Sequence, residues 1–240
     1  MFLQVLFFLL FASPLLSYNC DYTPSDVGQQ ADVVTLDSAE QTISRQICST
    51  VTLKCMSPQS NRLFMFWSVN DVIMFSNDKP VIPLDEFKYG AKIITDGNSN
   101  ILGGELTIRS INETDDATYS CQVPAGTKFK LHLNVLVPPG TLALTLTIKS
   151  GTPDILREGN QITLTCFSEG GNPRPNLLWR RGDVLLDASL YKWEGSGGKF
   201  GRTFSTLQWT LRWDDHQTEF RCFDDKATIS ASKTLSVLCE

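Results

Sequence analysis

Seven cysteines hold most of the reactive chemistry in this sequence: Cys20, Cys48, Cys55, Cys121, Cys166, Cys222 and Cys239. Thiols can ligate zinc, cycle electrons or close disulfides, and context decides which. The two histidines, His132 and His216, stand alone, neither at metal-ligand spacing with cysteine or carboxylate partners. No metal and no cofactor is therefore expected. Phe2 to Ala12 is an apolar run, shorter than the roughly 20 residues that a bilayer requires. Pro14 breaks it, and small Ser17 offers a cleavage site before Tyr18. This reads as a secretory signal peptide over residues 1–17, although no Lys or Arg precedes Arg45. Behind such a peptide the cysteines read as disulfides, and their odd count leaves one over.

The acidic pairs Asp115-Asp116, Asp214-Asp215 and Asp224-Asp225 suggest acid–base work only superficially. Neighbours on a strand point to opposite faces, and in a turn both face water. No nucleophile, base and orienting group can be nominated together, so no catalytic residue is expected and the chain reads as a non-enzyme. Gly195-Ser196-Gly197-Gly198-Lys199 imitates a phosphate loop, but Trp193 occupies the place of the required first glycine. A surface loop is the better reading. Arg181-Gly182-Asp183 is an integrin-type tripeptide, and the same residues also suit a tight turn for backbone reasons. Asn112-Glu113-Thr114 is an N-glycosylation sequon, with Asn112 as the acceptor. Net charge is −5 with no basic block, which argues against nucleic acid as a partner.

These groups sit on short alternating segments. Val51-Thr52-Leu53-Lys54-Cys55, Glu105 to Arg109 and Lys128 to Val135 alternate apolar and polar residues, as half-buried strands do. Val137-Pro138-Pro139-Gly140 should end a sheet, because two prolines remove backbone donors. It divides the chain into residues 18–137 and 138–240, and the second part repeats the order of the first. Gln161 to Cys166 alternates into a cysteine, Trp179 follows, and Glu219-Phe220-Arg221-Cys222 closes the pattern. No convincing amphipathic helix intervenes. The fold class is all-β, two tandem sandwiches.

In both parts this order resembles the immunoglobulin superfamily. Trp67 lies twelve residues after Cys55, and Trp179 thirteen after Cys166. The resemblance implies core bridges Cys55–Cys121 and Cys166–Cys222, with each indole packed on its cystine. It also implies a tyrosine corner at Tyr119, two residues before Cys121. Within the family's D-x-A-x-Y-x-C pattern, Asp115 pairs with a basic residue at the start of another strand, and Lys92 is the candidate by position. The cysteine spacings of 66 and 56 residues suit a V-set domain followed by a C2-set domain. This combination resembles nectin-like and junctional adhesion molecules and the V–C2 immune-type receptors of chordates. Phe220 departs from the pattern at the second corner, where no phenolic hydroxyl is available.

The contact surface implied by the resemblance is the outward face of strands C, C′, F and G. If Trp67 points inward, so do Leu63, Met65 and Val69, whereas Phe64, Phe66, Ser68 and Asn70 point outward. Thr118, Ser120 and Gln122 face outward on strand F. Phe64 and Phe66, with Gln122 beside them, form the candidate interface, since exposed apolar groups tend to mark contacts. Cys48 lies seven residues before Cys55, which places it by parity on the outward face of strand B and in need of a partner. Cys20 can fold back to it, giving Cys20–Cys48. Cys239 is then left for an interchain bridge. The expected function is extracellular recognition: a secreted or cell-surface protein that binds a protein ligand or a second copy of itself through domain one. A membrane would be reached only through an anchor beyond these residues. The alternative is a secreted innate-immune protein that binds microbial surfaces.

Overall fold

The structure is a computed structural model that describes residue 20 and residues 32–61, 64–123, 128–148 and 155–238. The signal-peptide segment, Leu63 and Cys239 lie outside the described residues. The first part holds β1 (Asp32–Leu36), β2 (Glu40–Gln46), β3 (Val51–Asn61), β4 (Phe66–Val69), β5 (Val72–Ser76), β6 (Lys79–Pro80), β7 (Tyr89–Thr95), β8 (Ile101–Ile108), β9 (Ala117–Gln122) and β10 (Lys128–Leu136). The second holds β11 (Leu142–Ile148), β12 (Leu156–Arg157), β13 (Gln161–Ser168), β14 (Leu177–Arg181), β15 (Val184–Leu185), β16 (Tyr191–Gly195), β17 (Thr203–Thr210), β18 (Thr218–Asp224), β19 (Ser230–Leu235) and β20 (Val237–Leu238).

Alternation explains these strands. In β10, Leu131, Leu133 and Val135 are buried while Lys128 and Lys130 are exposed. Two sheets of order β1-β3-β8-β7 and β2-β10-β9-β4-β5-β6 face one another in domain one. Domain two opposes β11-β13-β17-β16 to β15-β14-β18-β19, with a small β12-β20 pair at one edge. Disulfides Cys55–Cys121 and Cys166–Cys222 cross the two cores, each with a Cα separation of 6.4 Å. Trp67 and Trp179 are fully buried in the same clusters. Gly103 and Gly104 on β8 serve close packing: a Cβ on Gly103 would strike the Cys55 carbonyl, and one on Gly104 the Met65 side chain.

β1 runs parallel to β3, so Asp32 lies beside Val51 at the end of the sheet that is nearest Cys48. Arg45 pairs with Asp32 there. Cys20 is bonded to Cys48 at that end, with Cα atoms 5.2 Å apart. Cys48 nevertheless does not lie on the outward face of strand B, where parity with Cys55 would place it. It belongs to the turn between β2 and β3, at φ 67°, and not to a strand face. Strand alternation does not extend through a left-handed turn residue.

The domains touch through polar groups and one ring. Lys199 Nζ reaches Asp116 Oδ2 at 2.5 Å and Asn134 Oδ1 at 2.7 Å. Asn172 Nδ2 donates to the Val135 carbonyl at 2.5 Å, and Phe200 packs on the core of domain one.

The Cys20–Cys48 bridge closes a loop with a sequence separation of 28. A Cys20→Ser/Cys48→Ser double variant should stay folded and lose about 3–4 kcal/mol by the loop-entropy relation. Urea unfolding measures this, and a loss below about 1 kcal/mol would show that the staple is idle.

Candidate interaction face of the first domain

Four strands set out the face row by row. Phe66, Gln122 and Lys128 are cross-strand partners on β4, β9 and β10. Two residues along, Ile73, Ser68, Ser120 and Lys130 form the next outward row. Between them runs an inward row of Phe75, Trp67, Cys121 and Phe129. Thr118 and His132 are partnered one row further on. β4, β5, β9 and β10 thus take the places of the C, C′, F and G strands.

Phe64 is 62% exposed, Phe66 is half-buried and Gln122 is exposed. Ser68 and Ser120 face outward yet are buried, their hydroxyls 2.6 Å apart. Lys128 Nζ lies 2.8 Å from Asp71 Oδ1, linking β10 to the β4–β5 turn. That hydrogen bond and its charge hold the Asp71 carboxyl below the usual aspartate range.

Ile73, 41% exposed, belongs to the face and is not reached by alternation. Val72-Ile73-Met74-Phe75-Ser76 is nearly all apolar, so its sequence has no period to read. The register shifts at Met74: Trp67 opposes Phe75 and Ser68 opposes Ile73. This bulge buries Met74 and Phe75 together and turns Ile73 to solvent. Lys128 and Lys130 are readable from the Lys-Phe-Lys-Leu pattern of β10.

Behind the face lies a buried carboxylate. Asp115 is 1% exposed and ends the short 3-10 turn Glu113–Asp115. Tyr89 Oη donates to its Oδ1 at 2.5 Å, and Asn112 N donates to its Oδ2 at 2.8 Å. The cation is Lys88, with Nζ 2.7 Å from Asp115 Oδ2, and not Lys92. Lys92 is exposed on β7, opposite Glu105. The strand starts at Tyr89, so Lys88 flanks its entry, whereas Lys92 stands four residues along, about 13 Å away. Tyr119 Oη donates to the Asp115 carbonyl at 3.3 Å and makes the corner. Burial raises both tyrosine hydroxyls well above their ordinary value, with Asp115 adding to it through its hydrogen bond and charge at Tyr89 and its charge at Tyr119, so both remain donors.

Domain two replaces the corner with another device. Phe220 is fully buried, with the Trp209 ring edge-on at 5.7 Å. Asp215, also fully buried, accepts from Trp209 Nε1 at 3.0 Å and pairs with Arg181 Nε at 2.5 Å. Arg181 also meets Asp214 at 2.8 Å. The arginine of the integrin-type tripeptide is therefore committed to its own domain. Lys199 of the glycine-rich loop is likewise committed to the domain junction. Asn112 caps the Glu113–Asp115 turn, accepting from Thr114 N at 3.0 Å and Thr114 Oγ1 at 2.6 Å. Among the described residues no group of three or more His, Cys, Asp and Glu could hold a metal ion. No helix there is long and apolar enough to cross a membrane.

Paired sandwiches with inward cystines, core indoles and a tyrosine corner define tandem immunoglobulin-like domains. The CD80-like C2-set immunoglobulin domain family matches residues 146–232. Human nephrin is 30% identical over 223 residues, covering 85% of this chain and 16% of nephrin. The human cell surface A33 antigen is 25% identical over 171 residues, 64% of this chain and 51% of that protein. The chain thus spans about half of one of these relatives and far less of the other. The solved structure of Rst D1-D2 superimposes with a TM-score of 0.63 at 22% identity, covering 84% of this chain and 98% of that one. The chain belongs to the immunoglobulin superfamily, as two tandem immunoglobulin-like domains.

Removing Lys88 would leave Asp115 buried without its cation, a change that typically costs about 3–5 kcal/mol. Lys88→Met should lose stability on that scale, and Lys92→Met less than about 0.5 kcal/mol, as surface changes do. Equal losses in chemical denaturation would sink the assignment.

Proposed function

We propose that this chain is the recognition part of an extracellular receptor or adhesion protein. It binds a protein partner, or a second copy of itself, through the outward face of β4, β5, β9 and β10. The observation that carries this reading is a continuous surface in which Phe64, Phe66 and Ile73 adjoin Gln122, Lys128 and Lys130. Apolar side chains on an open sheet face cost solvation in the free protein, and such patches mark contacts. A polar margin beside aromatic anchors is the usual anatomy of a protein interface. The buried Ser68–Ser120 pair leaves the centre low, so a partner can approach the sheet closely. The similarity to a protein named as a cell surface antigen supports an extracellular setting. We further propose a glycan at Asn112, in the β8–β9 connection and off the outward rows, and an interchain bridge at Cys239. Non-reducing electrophoresis with thiols blocked at harvest reads the bridge, and a solely monomeric band rules it out.

Anchor residues at the centre of an interface typically cost 2 kcal/mol or more when lost, roughly a thirtyfold drop in affinity. Phe66→Asp and Ile73→Asp should each weaken self-association or partner binding to about that extent, with the unfolding midpoint kept. Sedimentation and surface binding measure it, and full association in both variants would refute this face.

A further inference from the structure

Domain two presents a pair of arginines that its own fold does not need. Arg180 on β14, Arg221 on β18 and Ser232 on β19 are direct cross-strand partners. Their neighbours Trp179 and Cys222 are fully buried, so this row faces solvent, and both arginines are exposed. Like charges placed directly opposite one another destabilise an antiparallel pair. Folding therefore gains nothing from the juxtaposition.

Neither guanidinium is fully used. Arg180 lies over the Phe223 ring, 5.2 Å from its centroid, and has no carboxylate partner among the described residues. Stacking fixes the plane of a guanidinium while leaving its N–H donors free. Arg221 Nη2 meets Glu219 at 3.0 Å, so a single carboxylate serves the pair. The other charged groups nearby do not change this balance. Asp224 is buried and accepts from Thr228 Oγ1 and Ile229 N, each at 2.8 Å. Exposed Asp225 and Lys226 offset one another in the β18–β19 turn, and Lys233 lies one residue along from the Arg221–Ser232 pair, as the cross-strand partner of Phe220.

Arg180, Arg221 and Phe223, with Ala227 and Ser230, line one cleft of about 180 Å³. That is below the roughly 300–1,000 Å³ of sites that enclose a whole small molecule. It suits one charged group of a larger ligand. Two guanidinium forks match the oxygens of a carboxylate or a sulfate. The outward positions along β19 are Ser230, Ser232, whose hydroxyl also bonds Glu219, and Thr234, a polar row that suits a polyhydroxylated ligand better than the apolar anchor of a protein partner.

We propose that this cleft binds a sulfate group of an acidic saccharide. Domain two is then a second recognition surface, independent of the face on domain one. The test is calorimetric titration of the full two-domain chain with a heparin-derived tetrasaccharide. The same tetrasaccharide after desulfation and a hexaglutamate peptide are run alongside. Sulfated saccharide should bind and weaken with salt, while the desulfated one should not bind. Arg180→Gln and Arg221→Gln should each lower affinity about tenfold, the worth of one charge-assisted hydrogen bond. Lys233→Gln should change it less than about twofold, and all three unfolding midpoints should stay put. Undiminished binding in the arginine variants overturns the site, as does no binding to the wild type. Equal weakening by Lys233→Gln would assign the effect to diffuse charge. Tighter binding of hexaglutamate would assign the cleft to an acidic protein.

Discussion

A cystine that joins two sheets sets the direction of the side chains on its own strands and on the strands in register with them. Both sulfurs must point into the gap, and a strand turns alternate residues to opposite faces. Once Cys55 and Cys121 point inward, Trp67 beside Cys121 must as well, and Phe66, Gln122 and Lys128 must face water. The same constraint reaches the other sheet. Gly104 is the cross-strand partner of Cys55, and a Cβ there would collide with Met65. In domain two, Trp179 and Cys222 point inward, which leaves Arg180 and Arg221 on the opposite surface. Both proposed recognition surfaces are thus consequences of where the two cystines lie.

The constraint also explains what could be read in advance. Fold class, the core indoles and the outward rows follow from period-two alternation around cysteines, and all of these are visible in sequence. Three features are not. Lys88 and Lys92 share parity, and only the true start of β7 separates them. Ile73 reaches the surface through a bulge inside an apolar run, where no period exists. Cys48 occupies a left-handed turn, to which the strand rule does not apply. In each case the deciding information is a strand end or an irregularity, which depends on packing across the whole domain.

Both domains bury an aspartate at the same corner, and they solve its charge differently. Asp115 takes a lysine, a phenol and a backbone N–H; Asp215 takes an arginine, an indole and the Arg212 N–H. A buried carboxylate is tolerated only when it is paired and fully hydrogen-bonded. Where domain one supplies Tyr119, domain two fills the space with Phe220 and brings its cation from the end of β14. That choice consumes Arg181, so a tripeptide that resembles a ligand signal is instead part of a structural clamp. Motif and role separate here because the sequence shows adjacency along the chain and not the partner across the turn.

The junction adds the last step. Asp116, next to the corner carboxylate, accepts from Val135 N at 2.8 Å and from Lys199 of the other domain at 2.5 Å. One carboxyl therefore ties the end of β10 to the loop between β16 and β17. That loop holds Gly197 at φ 77° and Gly198 at φ 72°, backbone that side chains rarely adopt. Arg174 reaches across from the β13–β14 connection to the Gly198 carbonyl. Glycines shape the loop, an arginine braces it, and Lys199 and Phe200 are delivered to domain one. The resemblance to a phosphate loop comes from the same need for tight, side-chain-free turns. Here those turns serve a contact between domains: they couple the orientation of the proposed face on the first domain to the second domain, so a ligand held at Arg180 and a partner held at Phe66 would sit in a defined relation.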